Sequence, residues 1–270
     1  MSSKLSAKDR ELKAKMERAL TGEETWMPRV RGLYELLPSD PRCTLCLAPF
    51  EGMGGWVLKG TTGKRRSTTN ALYCNHCEEQ AKRLGVRVEL ELSLLFADVR
   101  GSTGLAEALD PSAYGDLIGR FYSETTHVLI HSHAIVDKLA GDQVSGYYLP
   151  GIAGPDFAAR AVEAALELQR AVGSTDPQGP WVPVGVGVHT GRAVFGVVDS
   201  ADGMTEITAL GDAPNVAARL ASNAAAGQVL VSQRTADKAA LDTSDLEHRR
   251  LTLKGKSEPT DIWVLCVAED

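Results

Sequence analysis

The stretch Leu92-Ser93-Leu94-Leu95-Phe96-Ala97-Asp98-Val99-Arg100-Gly101-Ser102-Thr103 decides the fold. Val88, Leu90, Leu92, Leu94 and Phe96 recur every second residue, the period of a strand with one buried face. Asp98 has the same parity, so the buried side of this strand delivers a carboxylate at its far end. Gly101-Ser102-Thr103 then predicts a turn, with Ser102 or Thr103 as the N-cap of a helix. A carboxylate beside a helix N-terminus suits a metal and a phosphate together, since the acid holds the cation and free N–H groups face the anion. An Asp that ends a strand and merely caps the next helix has the same local pattern.

The chain of 270 residues is long enough for one substantial core and a small appendage. Its net charge of −6 argues against bulk binding to nucleic acid or an anionic membrane. No apolar run approaches the roughly 18–20 residues that span a bilayer. Met1 to Lys8 lacks the hydrophobic block of a signal peptide, so a cytoplasmic protein is expected. In that compartment the five cysteines point to metal binding before disulfides.

Residues 4–20 predict an exposed helix with an irregular apolar stripe of Leu5, Leu12, Met16 and Leu20. Cys43-Thr44-Leu45-Cys46 and Cys74-Asn75-His76-Cys77 follow. Each C-x-x-C knuckle offers two adjacent corners of a tetrahedron, and two knuckles complete it. The expectation is one structural zinc per chain held by Cys43, Cys46, Cys74 and Cys77. Iron–sulfur ligation uses the same ligand set, redox-active pairs share the spacing, and His76 can replace a Cys. The 27 intervening residues exceed the usual ribbon spacing and call for a longer hairpin or loop. That segment carries Lys59, Lys64, Arg65 and Arg66, a weak nucleic-acid signal without interleaved aromatics. Cys266, in an apolar C-terminal strand, is expected in the core.

Residues 78–87 predict a short helix stopped by Gly85. Asp110-Pro111 opens a long helix, with Asp as N-cap and Pro at the first helical position. Residues 134–140, a Gly141-Asp142 tip and residues 143–149 predict a hairpin. An alanine-rich helix runs from Gly154-Pro155 to Gly173. Val182, Val184, Val186 and Val188 mark a strand that Gly191 is expected to turn into a partner ending near Val198. A loop with Gly203 leads to a strand at 207–210, then a helix capped at Gly211-Asp212 and running to Ala226. A strand at 227–231 and a closing hairpin of 249–254 with 260–267 complete the chain. The sum is an α+β fold, a ferredoxin-like sheet with helices over one face. Three parts are expected: a helical segment at 1–40, a zinc-ribbon-like module of four cysteines at 41–84 and a larger domain at 88–268.

Asp98 at a strand end and Asp142 at a hairpin tip can clamp metal ions. Asn215 and Arg219 lie four apart, on one helix face. Two acids, an amide and a guanidinium suit metal-assisted phosphoryl chemistry. Four blocks, Phe96 to Thr103, Lys138 to Asp142, Gly187 to Gly191 and Thr208 to Arg219, resemble in order the signature blocks of class III nucleotidyl cyclases. The resemblance runs from about Leu90 to Val267.

The resemblance implies that Asp98 and Asp142, with the backbone of Val99, hold two Mg²⁺ or Mn²⁺ ions. It implies that the turn through Gly101, Ser102 and Thr103 cradles a triphosphate. Lys138 and Thr208 match the base-reading pair, and a Lys with a Thr implies adenine. An ammonium donates to adenine N1 and a hydroxyl accepts from its N6 amino group, whereas guanine reverses both functions. Asn215 would orient the ribose, Arg219 would meet charge on the α-phosphate, and Lys254 would reach the β- and γ-phosphates. The implied substrate is ATP, the product cyclic AMP with pyrophosphate, and the implied assembly a head-to-tail homodimer. Its aspartates come from one chain, and Lys138, Thr208, Asn215 and Arg219 from the other. Pro214 before Asn215 departs from the family pattern, as does the absence of a glycine at Val197-Val198-Asp199-Ser200. A guanylyl cyclase, or a silent cyclase fold whose cysteine region senses nucleotide or binds nucleic acid, are the competing readings. Neither a membrane nor nucleic acid is the expected partner.

Overall fold

The computed structural model describes residues 5–174, 176, 178–199, 205–252 and 259–267, with residues 138, 199 and 205 described by backbone alone. In chain order the elements are α1 (Ala7–Thr21), α2 (Trp26–Glu35), α3 (Gly52–Thr62), α4 (Asn75–Leu84), β1 (Arg87–Val99), α5 (Ser102–Ala108), α6 (Pro111–His131), β2 (Ile135–Ala140), β3 (Gln143–Tyr148), α7 (Pro150–Ala153), α8 (Phe157–Ala171), β4 (Val184–Asp199), β5 (Thr205–Leu210), α9 (Asp212–Asn223), β6 (Gln228–Ser232), α10 (Gln233–Lys238), β7 (Glu247–Leu251) and β8 (Thr260–Cys266). No helix among the described residues is long and apolar enough to cross a membrane. Two compact units divide the chain.

One unit comprises Met1–Leu90, Leu149–Pro155 and Ala193–Leu210. The Ser6 hydroxyl caps α1 by accepting from the Asp9 amide, and Gly22 ends the helix in the left-handed region at φ 88°. α1 packs on α7 so closely that a Cβ at Gly151 would stand 1.7 Å from the Ala19 carbonyl oxygen. Val197 N–H donates to the Val86 carbonyl (2.8 Å), and a Cβ at Gly196 would stand 2.1 Å from that oxygen. Arg87 returns the link, its Nε and Nη2 donating to Val197 O at 3.2 and 2.8 Å. β5 pairs antiparallel with the far half of β4, Val194 opposite Leu210 and Gly196 opposite Thr208. The long loop expected between the knuckles instead holds α3, which Gly63 closes at φ 69°.

The other unit comprises Glu91–Tyr148, Asp156–Arg192 and Gly211–Asp270. Its strands follow the order β2-β3-β1-β4-β6-β8-β7. Every pairing is antiparallel among those with a recorded register except β4 with β6, which run parallel. The α+β class and the hairpin of β2 and β3 are as expected. So is the start of α6, where the Asp110 carboxylate accepts from Ser112 N and Ala113 N ahead of Pro111.

Three expectations are corrected. β1 is not buried on one face only, because Leu92 to Ala97 are all buried, the mark of a strand covered on both sides. Helices account for this. α6 meets one face, where a Cβ at Gly146 would touch Leu129. Ser93, Leu95 and Thr190 share that face, through the Leu95–Gly146 register and a 2.6 Å Ser93–Thr190 hydroxyl contact. α9 meets the opposite face at Gly185, Gly187 and Gly191. Gly191 makes no turn, and β4 runs unbroken through it. Its missing side chain admits the Ala213 methyl, which a Cβ would approach to 2.9 Å. Cys266 is exposed at the end of β8 rather than packed in the core. The loop glycine Gly203 and the segment around Lys254 lie outside the described residues.

A Cβ at Gly187 would stand 2.2 Å from Ala221 N and 2.5 Å from Ala217 O, both backbone atoms of α9. Gly187→Ala is therefore expected to lower stability by about 1–3 kcal/mol through overpacking. Urea unfolding with an unchanged midpoint would show instead that α9 shifts freely.

Candidate active site

The site is built at the end of β1. In its antiparallel register with β3, Asp98 stands opposite Gln143, and the Gln143 side-chain amide donates to the Asp98 carboxylate at 3.4 Å. One step on, Val99 N–H donates to the Asp142 carbonyl at 3.0 Å. Asp98 at the end of β1 and Asp142 in the tip between β2 and β3 thus lie at the same end of the sheet. Between β2 and β3 the tip needs the left-handed conformation of Gly141, φ 63°. The Tyr122 hydroxyl, reaching from α6, donates to the Gly141 carbonyl at 2.7 Å and pins the tip. Burial, and then the charge of Asp142, raise the pKa of that phenol, so it stays a donor well into alkaline solution. A cavity of about 500 Å³ opens beside it, lined by Ile118, Gly119, Tyr122 and Asp142 among others.

Each carboxylate has a partner from the turn after β1. Arg100 forms an ion pair with Asp98, and Ser102 donates its hydroxyl to Asp142. Ser102 or Thr103 was expected as the N-cap, but Gly101 takes that place at φ 65° and no side chain caps α5. Arg100 is itself fixed twice more, its N–H donating to Pro183 O (2.7 Å) and its Nη1 to Ser222 O (2.9 Å). The sequence signal for Arg100 was its parity, two residues beyond Asp98 on the same strand side. Gln143 and Tyr122 gave no signal, because only strand register and helix packing bring them in.

Asn215 and Arg219 lie on α9, which forms despite Pro214, since a proline in the first turn removes an N–H with no intrahelical partner. Asn215 is exposed and donates to the Gly211 carbonyl at 3.2 Å. The end of α9 reaches Arg100 through Ser222. Asn215 lies seven residues earlier, roughly 10 Å back along the axis at 1.5 Å per residue. Thr208 belongs to the other unit, on β5, and is buried (7% exposed). Lys138 stands where the β2–β3 register shifts between Val136 and Leu139. Its side chain, and all of Lys254, lie outside the described residues.

The four knuckle cysteines come together as predicted. Their sulfurs all lie within 4.8 Å of one another, and all four residues are buried. Thr44 N–H donates to Leu72 O (2.9 Å) and Cys74 N–H to the Cys43 sulfur (3.2 Å), tying one knuckle to the other. Desolvation pushes the Cys43 thiol up, and its contact with Cys43 first of all pushes Cys77 up, while contacts led by Cys43 hold Cys74 and Cys46 down. His76 is outside the cluster, exposed, and in contact with Asn75. Leu45, inside the first knuckle, lines a small apolar cavity with Met16, Met27, Phe195 and Ile207. The knuckle and the strand bearing Thr208 therefore share one core within their unit.

Carboxylates at the end of a mixed sheet, next to a glycine turn, suit metal-assisted phosphoryl transfer. Residues 87–266 match the adenylate and guanylate cyclase catalytic domain, and the chain belongs to that family. An adenylate cyclase of Mycobacterium tuberculosis is 33% identical over 171 residues, which is 62% of this chain and 37% of that protein. The terminal-differentiation specific adenylate cyclase of Dictyostelium discoideum is 28% identical over 188 residues, 67% of this chain and 9% of that protein. The match thus spans little more than a third of the first relative and a small part of the second. Among solved structures, the guanylyl cyclase Cya2 aligns with TM-score 0.59 and 26% identity over 67% of this chain and 94% of that one. The adenylyl cyclase CyaB from P. aeruginosa gives 0.58 and 26% over 68% and 98%.

Removing the Tyr122 hydroxyl frees the hairpin tip. Tyr122→Phe is expected to cost about 1 kcal/mol, the worth of one net hydrogen bond, and to speed amide exchange at Asp142 and Gln143. Unchanged protection there would mean that the tip holds itself.

Proposed function

We propose that this chain is an adenylyl cyclase, converting ATP to 3′,5′-cyclic AMP and pyrophosphate at sites formed between two copies. The single observation that carries the reading is the β1–β3 register, which sets Asp98 and Asp142 side by side. Both are hard oxygen donors, the type that Mg²⁺ and Mn²⁺ take, so the donor set fits two such ions with the Val99 carbonyl beside them. When bound, those dications lower the pKa of the ribose 3′-hydroxyl and neutralise charge on the triphosphate. Arg100 and Ser102 hold the two carboxylates in place by an ion pair and a hydroxyl hydrogen bond. The turn through Gly101, Ser102 and Thr103 offers its backbone to the phosphates.

From the second copy come Asn215 to hold the ribose and Arg219 to meet charge growing on the α-phosphate. Lys138 and Thr208 read adenine as donor and acceptor, and Lys254 answers the β- and γ-phosphates. Adenylate cyclase names among the relatives favour ATP over GTP.

Purified protein with Mn²⁺ and ATP or GTP tests the reading by its cyclic product. Cyclic AMP is expected from ATP at protein concentrations that allow pairing, and neither product forming under any condition would sink the proposal. Arg219→Ala should lower turnover about 100–1000-fold, as loss of a transition-state contact does. Asp142→Ala should remove activity while leaving the far-ultraviolet circular dichroism intact. Exchanging the base-reading pair, Lys138→Glu with Thr208→Cys, should move preference toward GTP. An ATP preference that survives this exchange would place base recognition elsewhere.

A further inference from the structure

We propose that Cys43, Cys46, Cys74 and Cys77 bind one zinc ion as four thiolates, and that buried Arg31 together with Lys64 cancels the charge of that centre. The proposal is independent of the cyclase reading.

The first observation is spacing. Zinc bound at about 2.3 Å to four sulfurs in a tetrahedron sets those sulfurs about 3.8 Å apart. The Cys46 and Cys74 sulfurs stand 3.9 Å apart, and all four fall within 4.8 Å. A disulfide needs about 2.05 Å, and a cluster of several irons needs wider spacing than one ion does. Two backbone amides already point at sulfur, Cys74 N–H to Cys43 at 3.2 Å and Cys77 N–H to Cys74 at 3.4 Å. Such donors favour thiolate over thiol.

The second observation is a buried cation held against the first knuckle. Arg31 is 1% exposed. Its Nη1 donates to the carbonyls of Thr44 and Leu45, at 2.9 and 2.7 Å, the two residues between the first pair of cysteines. Its Nε and Nη2 have no hydrogen-bond partner. An uncompensated buried guanidinium is strongly destabilising. Four neutral thiols, or two disulfides, add no negative charge beside it, whereas four thiolates around a dication carry two net negative charges. Lys64 supplies the second positive charge, its ammonium 3.9 Å from the Cys46 sulfur. Thiolates, zinc, guanidinium and ammonium together sum to zero, which lets the centre sit in a buried site.

The test uses the full chain. Elemental analysis should find one zinc per chain in addition to any ion lost on dialysis against a weak chelator. Competition with a chromophoric chelator should show zinc held about 10–100-fold less tightly in Arg31→Met, the loss usual for a partner outside the ligand shell. Arg31→Lys, which keeps the charge, should lose less. Lys64→Met changes a half-exposed side chain, tolerates folding, and should weaken zinc in the same direction. Cobalt substitution should give thiolate-to-metal absorption, a signature that no purely packing role produces. A folded chain with no zinc and four freely titrating thiols would overturn the metal site. Zinc held equally by the wild type, Arg31→Met and Lys64→Met would overturn the charge cancellation and leave the metal site standing.

Discussion

The antiparallel pairing of β1 with β3 is the constraint on which the rest of the catalytic end depends. Strand side chains alternate faces, so a slip of one residue would carry Asp98 to the wrong side and drive Leu95 off Gly146. The register is held at several points at once. Leu95 lies opposite Gly146, whose bare Cα leaves room for Leu129 of α6. At the far end the Val99 to Asp142 hydrogen bond locks the tip. The core therefore sets the carboxylates' positions, and the turn residues Arg100 and Ser102 only orient them.

Close approach by glycine is the second theme. On β4, Gly185, Gly187 and Gly191 present one glycine face to the alanines of α9, so helix and strand backbones come nearly into contact. Asn215 and Arg219 ride on that helix, and its tight seating fixes where they emerge. In the other unit, Gly151 against Ala19 and Gly196 against Val86 do the same for α1 and the β4–β5 pair. Rigid seating of this kind keeps side chains at a site within small tolerances.

The cysteine region is more than an appendage in its own unit. Leu45 sits between two cysteines and faces the same cavity as Ile207, the neighbour of Thr208. Burying charge inside an apolar unit is costly, and the buried Arg31 is held by the Thr44 and Leu45 carbonyls of the first knuckle. Arg42 shows the ordinary alternative, a buried guanidinium paired with Asp40 and donating to the carbonyls of Tyr34, Leu37 and Leu47.

Local chemistry made several elements legible in the amino-acid order alone. Asp110-Pro111 announced its helix, Gly141-Asp142 its hairpin, and the two C-x-x-C spacings their cluster, because each depends on residues within one or two turns. Gly191 misled, since a glycine that permits a turn and a glycine that permits contact look alike until the partner is known. The alternating run before Asp98 gave the strand but not its two-sided burial, which depends on helices far away in the chain. Arg31 lies twelve residues before the first cysteine and carries no mark of its burial. Sequence by itself thus determined many of the elements, the cysteine cluster and the acidic strand end, all set by short-range sterics and spacing. Tertiary structure alone decided which face each helix covers, which side chains answer Asp98 and Asp142, and where a buried charge finds its counterpart, because those are long-range packing outcomes.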